Sequence, residues 1–344
     1  MPRSRAAPLQ PGIAEAAATG SAAVSIGLSA VIVAASDQDP RVLTIRLPGV
    51  AREAAEALPA GPLEPEHRTL EIGLRTWVER QTSQRLGYVE QLYTFGDRDR
   101  IAGEAALALP ALVVAYLALV REVRPAGAAE AEWHSWYRYF PWEDWRQGRS
   151  PLLAPLEAGL GSWAATAGSD AERRLREERL GLAFGLSGAT WNEELVLERY
   201  ELLYEAGLVA EAARDRPAAL IGGLAPEHLT GVAMALDHRR ILATAIGRLR
   251  GKIKYRPVVF ELMPPAFTLL QLQRTVEALA GVRLHKQNFR RLVEQQGLVE
   301  ETGEISAATG GRPARLVRFR RDVLLERPAP GLRLRAGRRA AAGV

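Results

Sequence analysis

Between Phe260 and Phe319 a helical period, a glycine, a second helical period and a strand-like alternation follow one another, and few folds accept that order. Thr268 can cap a helix that starts at Leu269, because its hydroxyl can accept an N–H of the first turn. Apolar residues then recur at Leu269, Leu272, Val276 and Leu279, and Gly281 supplies a stop. A second helix is expected over 285–296, ended by Gly297, with Phe289, Leu292 and Val293 inward. Its other face carries Lys286, Gln287, Asn288, Arg290 and Arg291. Leu298-Val299, a tip at Gly310-Gly311 and the alternating run Arg315–Phe319 complete a hairpin, with Arg312 and Arg315 beside the tip. Helix, turn, helix and hairpin together predict a winged helix-turn-helix.

Cations and amides on the second helix suit phosphates and purine edges in a major groove. Lys286 and Arg290 share one face, Gln287 and Arg291 another, since neighbours on a helix point about 100° apart. Asn288 is a candidate for an adenine edge, Arg290 or Arg291 for guanine or phosphate, and Arg312 and Arg315 for the adjacent backbone or minor groove. Charge is unevenly spread. From Arg248 to Val344 there are 20 Lys+Arg against 8 Asp+Glu, a net of +12, while the rest of the chain carries 25 against 32, a net of −7. A basic quarter on an acidic body is the footprint of a polyanion binder. The expected partner is double-stranded DNA, read at a palindromic operator by a two-fold homodimer.

Composition bounds the rest. Without cysteine there are no disulfides, thiolate metal sites or cysteine nucleophile, in keeping with a cytoplasmic protein. No apolar run reaches the roughly 20 residues of a membrane helix, so no membrane partner is expected. Residues 1–20 read as a disordered tail and 21–120 as an α/β domain. Within that domain the runs 22–34 and 41–46 form a hairpin across Asp37–Pro40, a helix covers 69–84, and strands lie at 88–95 and 112–119. Residues 121–236 form a Trp-rich, then helical, insert of unassigned role. A linker helix at 237–255, capped by Asp237, turns Ile241, Leu242, Ala245, Ile246 and Leu249 to one side and leads into the winged helix at 256–328. That helix is expected at the dimer interface, and the Trp-rich segment is expected to be a packed core or a subunit interface rather than a ligand box. A basic tail is expected at 329–344.

Two segments resemble the Nudix-like regulators of NAD metabolism. The strings are EQLYTFGDRDR (90–100), VAYLALV (114–120), LDHRRIL (236–242), RLRGKIKYRPVVFELMPPAFTLLQLQ (248–273), NFRR (288–291) and GRPARL (311–316). The resemblance implies an α/β fold, a Nudix-like α/β/α sandwich with a helical insert here, and a C-terminal winged helix. It also implies a transcription regulator of NAD synthesis or salvage genes, with ADP-ribose or a related nucleotide as effector and no cofactor. The Nudix box is decayed. With Gly61 as its first position, His67 stands at the first glutamate, Arg75 at the arginine and Trp77 at the apolar site, and the metal carboxylates fall on Thr76, Glu79 and Arg80. Magnesium needs clustered oxygen ligands, and two of the three glutamates are missing, so no catalytic residue, no metal and no enzyme are expected. Arg75 and Glu79 are spaced to pair on the helix surface. Arg41, Arg46, Arg75, Glu79 and Phe95 are the candidate effector residues, arginines for phosphates and an aromatic for a base. The alternatives are a divergent Nudix hydrolase of a nucleoside diphosphate derivative and a pure interaction protein.

Overall fold

The computed structural model describes residues 25–36, 39–47, 56–96, 112–126, 130–216, 225–306, 313–326 and 331–332. Its sheet is built from β1 (Ile26–Ser36), β2 (Asp39–Arg46), β3 (Glu56–Ala57), β4 (Ala60–Pro62), β5 (Tyr88–Phe95), β6 (Leu112–Leu119) and β7 (Ala131–Ser135). The order is β3-β2-β1-β6-β5, with β4 also on β1 and β7 also on β2. β1 and β6 are parallel, and the expected hairpin is the antiparallel pair β1–β2, closed where Ser36 meets Asp39.

Successive strand residues face opposite ways, so both faces of a central strand need cover. Leu28, Ala30 and Ile32 pack with Leu74 and Val78 of α1 (Leu70–Thr82) on one face. Val31, Val33, Leu117 and Leu119 face a larger core on the other. That core contains α7 (His238–Tyr255), which was expected to be an interface helix. Its apolar stripe is covered within the chain by the sheet, by α4 (Val196–Glu205) and by α8 (Leu269–Ala280), so the stripe needs no second copy. Trp136 and Trp142 are also fully buried in this core, the packed-core outcome of the two expected for the Trp-rich segment.

The segment 121–236 is no separate insert at its front. β7 pairs with β2 from Arg41↔Ser135 to Ile45↔Ala131, because the residues from Ala131 to Ser135 alternate as a strand that the tryptophans obscured. Helices α2 (Leu153–Ala165), α3 (Asp170–Phe184), α4, α5 (Ala210–Asp215) and α6 (Glu227–Thr230) follow. Asp237 holds the N-terminal position of α7 without a side-chain capping bond and pairs with Arg240 instead. Beyond α8 come α9 (Lys286–Gln295), β8 (Val299–Ser306), β9 (Ala314–Phe319) and α10 (Val323–Glu326). Gly331 and Leu332, expected in the basic tail, lie against the end of α7, where the Leu332 N–H donates to the Ile253 carbonyl. The tail 1–20 lies outside the described residues, as do 333–344. Among the described residues no helix is long and apolar enough to cross a membrane.

Candidate nucleic-acid interface

Local chemistry sets both helices of the motif. Thr268 and Gln271 form a capping box at α8, satisfying two orphan donors reciprocally, and Gly281 ends the helix at φ 73°. Within α9 only Phe289 and Val293 are buried, Leu292 being half-buried, and Gly297 follows at φ 56°. Lys286, Gln287, Asn288, Arg290 and Arg291 are all exposed. Among the described residues Lys286, Arg290 and Arg291 have no ion-pair partner. The turn between the helices is held by one carboxylate. Glu277 accepts from the Leu284 N–H at 2.9 Å and from Arg283 at 2.8 Å, and Gln273 donates to the Leu284 carbonyl at 3.0 Å.

β8 and β9 form the expected hairpin, with a register shift between Glu301 and Ile305. Its tip, Gly310-Gly311 and Arg312, lies outside the described residues. Arg315 pairs across the strands with Glu301 at 2.7 Å, and Arg318 with Glu300 at 2.6 Å. Arg315 therefore has a carboxylate competing for it, which among the described residues the α9 cations do not.

Three cations in the last turns of α7 do not extend this surface. Arg250 is buried on Glu143 at 2.6 Å, Lys252 pairs with Glu90, and Lys254 reaches Glu193 at 2.8 Å and Glu194 at 2.6 Å. Glu143 also receives Arg199 at 2.5 and 3.0 Å, and all three side chains are buried. Burial opposes the charged form of Glu143, but Arg199 and Arg250 outweigh it and hold its carboxyl below the ordinary range. Sequence reasoning missed this cluster. The signal was a glutamate enclosed by the tryptophans of Trp142-Glu143-Asp144-Trp145. A further buried base, His238, accepts the Leu58 N–H at 3.0 Å through Nδ1, and burial, then Arg214, push its pKa down to about 4.

On the sheet the candidate effector residues do not converge. Arg41 and Arg46 are five apart on β2 and leave it on opposite faces. Arg41 donates to the Trp133 carbonyl at 3.1 Å and pairs with Asp39 at 3.4 Å. Arg46 pairs with Glu130 at 3.2 Å and lines a small pocket with Thr44, Glu56, Glu132 and His134. Phe95 lies on the edge strand β5 beneath Arg240, with β6 and β1 between it and β2. The expected Arg75–Glu79 pair does not form. Arg75 turns back to Glu71 at 2.8 Å and donates to the Leu86 and Gly87 carbonyls, while Glu79 pairs with Arg85 at 3.3 Å. Helical side chains lean towards the N-terminus, which favours the earlier partner. Around the Nudix-box positions, Thr76 donates to the Ile72 carbonyl and Arg80 stacks on Trp77. The Trp77 ring lies so close to Gly61 that a Cβ there would come within 2.2 Å of it. One carboxylate, a hydroxyl and a guanidinium do not fit a divalent cation.

Residues 259–319 match the family model of the NrtR DNA-binding winged helix domain. This segment is an NrtR-type winged helix. The chain is 44% identical over 86 residues to the ADPR responsive transcriptional repressor NtrR of Acinetobacter baylyi, a match that spans 25% of this chain and 34% of that relative. In fold the likeness runs further. The crystal structure of Shewanella oneidensis NrtR complexed with a 27mer DNA aligns with a TM-score of 0.51 at 20% identity, over 87% of this chain and 94% of that one. A MutT/nudix family protein from Enterococcus faecalis aligns with a TM-score of 0.51 at 17% identity, over 88% of each chain. Over most of its length the chain thus shares the fold of these two proteins, and residues 259–319 match the NrtR winged helix model.

Proposed function

We propose that this protein is a DNA-binding transcription repressor whose Nudix-like sheet senses an ADP-ribose-type nucleotide and performs no hydrolysis. The observation that carries the reading is α9, where Lys286, Gln287, Asn288, Arg290 and Arg291 are exposed and the cations have no ion-pair partner among the described residues, in a segment matching a DNA-binding winged helix. The relative that is 44% identical over 86 residues is an ADPR responsive transcriptional repressor, which supports the effector class. Lys286, Gln287, Asn288, Arg290 and Arg291 enter the major groove, and Arg312 and Arg315 touch the neighbouring backbone. Arg41, Arg46 and the pocket beside His134 are the phosphate-side candidates on the sheet. The working unit is a cytoplasmic homodimer on a palindromic operator near genes of NAD synthesis or salvage. Absence of enzymatic activity follows from the box, where Thr76 and Arg80 stand in place of carboxylates.

The test is electrophoretic mobility shift on the DNA upstream of its own and neighbouring genes, with competitor DNA, with and without millimolar ADP-ribose. A specific shift altered by the nucleotide supports both halves of the reading. A specific shift indifferent to it removes the effector. Absence of any shift at low salt, together with pyrophosphatase activity on ADP-ribose, replaces the reading with a hydrolase.

A further inference from the structure

The last carbonyls of a helix lack partners within it, and what satisfies them fixes where the helix end can lie. At α8 the donors come from the segment that follows β7 and from α7. The Tyr137 hydroxyl donates to the Ala278 carbonyl at 2.7 Å, Arg250 Nε to Leu279 at 3.0 Å, and the Trp145 N–H to Gly281 at 2.7 Å. Contact there is close. A Cβ at Gly281 would stand 2.5 Å from the Glu143 carbonyl oxygen and 3.0 Å from the Tyr137 hydroxyl.

Both ends of this loop are tied to rigid parts. Trp136 continues directly from β7, and Arg138 and Tyr139 each hold Glu56 of β3 at 2.5 Å. Glu56 and His134 line the same pocket as Arg46. On the far side, Glu277 and Gln273 lock Leu284 to α8, so a shift of the α8 end carries the start of α9 with it. The Glu143 cluster pins the loop by buried charge, whereas Tyr137 contributes one neutral hydroxyl.

We propose that Tyr137 is a positioning residue that clamps the end of α8 to the sheet and transmits a change at the Arg46–Glu56–His134 pocket to the pitch of α9. The inference rests on the regulator reading above. Coupling between two sites is reciprocal, so DNA on α9 changes the sheet's affinity for its ligand by the same factor as that ligand changes DNA affinity, and the clamp is the path by which both are carried.

The experiment compares the full-length protein with Tyr137→Phe, which keeps the ring. In the wild type, ADP-ribose is expected to change DNA affinity by about 5- to 150-fold. In Tyr137→Phe the change is expected to fall below about threefold, with ligand-free affinity held within about threefold. An undiminished response in the variant overturns the clamp. A second measurement needs neither variant nor nucleotide: amide exchange of the wild type with and without operator DNA. Altered protection over 131–146 as well as over α9 is expected, and a change confined to α9 overturns the proposal. If the wild type ignores ADP-ribose, the effector assignment fails, and the exchange data still decide the clamp.

Discussion

The sheet side and the reading head both carry arginines, yet the two sets stand in opposite circumstances. On the sheet and α1, Arg41, Arg46 and Arg75 each face a carboxylate of the same chain, and Arg199 and Arg250 share buried Glu143. On α9, Lys286, Arg290 and Arg291 are exposed and, among the described residues, have no such partner. Exposed cations without partners keep their charge available for phosphates, while a paired one must first release its carboxylate. A count of basic residues sees no such difference, and geometry does.

The comparison can be broken most severely at Glu143. Replacing it by alanine leaves two guanidinium groups buried without their carboxylate, and the expected loss of stability is about 3–5 kcal/mol, read by urea unfolding. Stability within about 1 kcal/mol of the wild type would show that the cluster is not what holds the loop.

Next in size are the α9 variants. Asn288→Ala and Arg291→Ala are expected to cost about 1–3 kcal/mol on specific DNA and to relax sequence preference, while Arg312→Ala weakens all DNA alike. Equal losses on specific and random DNA for every variant would remove the groove assignment. The slope of log affinity against log salt measures the same free charge, at about −0.9 per phosphate neutralised.

His238 gives a smaller, pH-dependent effect. Its folded pKa of about 4 lies below the unfolded value of about 6.5, so the unfolded chain takes up the proton first as pH falls. The stabilisation is full above pH ~6.5 and is lost progressively towards pH ~4. Between pH 7 and pH 5.5 the loss amounts to about 1.2 kcal/mol, and His238→Gln should flatten that part of the stability curve. An unchanged slope in the variant assigns the pH dependence elsewhere.

The smallest change is expected at Arg75. Its pair with Glu71 is partly exposed, so Arg75→Ala should cost under about 1 kcal/mol and leave DNA affinity untouched. A marked fall in DNA binding would move Arg75 from the structural set into the functional one.

What the sequence by itself determined was local. The Thr268 cap, the Gly281 and Gly297 stops and the strands 88–95 and 112–119 depend on short-range periodicity and on side chains near their own backbone, and all are found in place. The basic face of α9 follows from the same helical spacing. Partner choice was decided only by tertiary structure. Helix spacing alone offers Arg75 both Glu71 and Glu79, and nothing local tells Arg250, buried on Glu143 107 residues away, from an exposed end of a basic helix. The strand in 131–135 was hidden because Trp133 and the tryptophans that follow it fit a packed cluster as well as an edge, and only β2 in register beside it settles the difference. Charge pairing and sheet addition join residues far apart in the chain, so their energy has no signature in any single window of sequence.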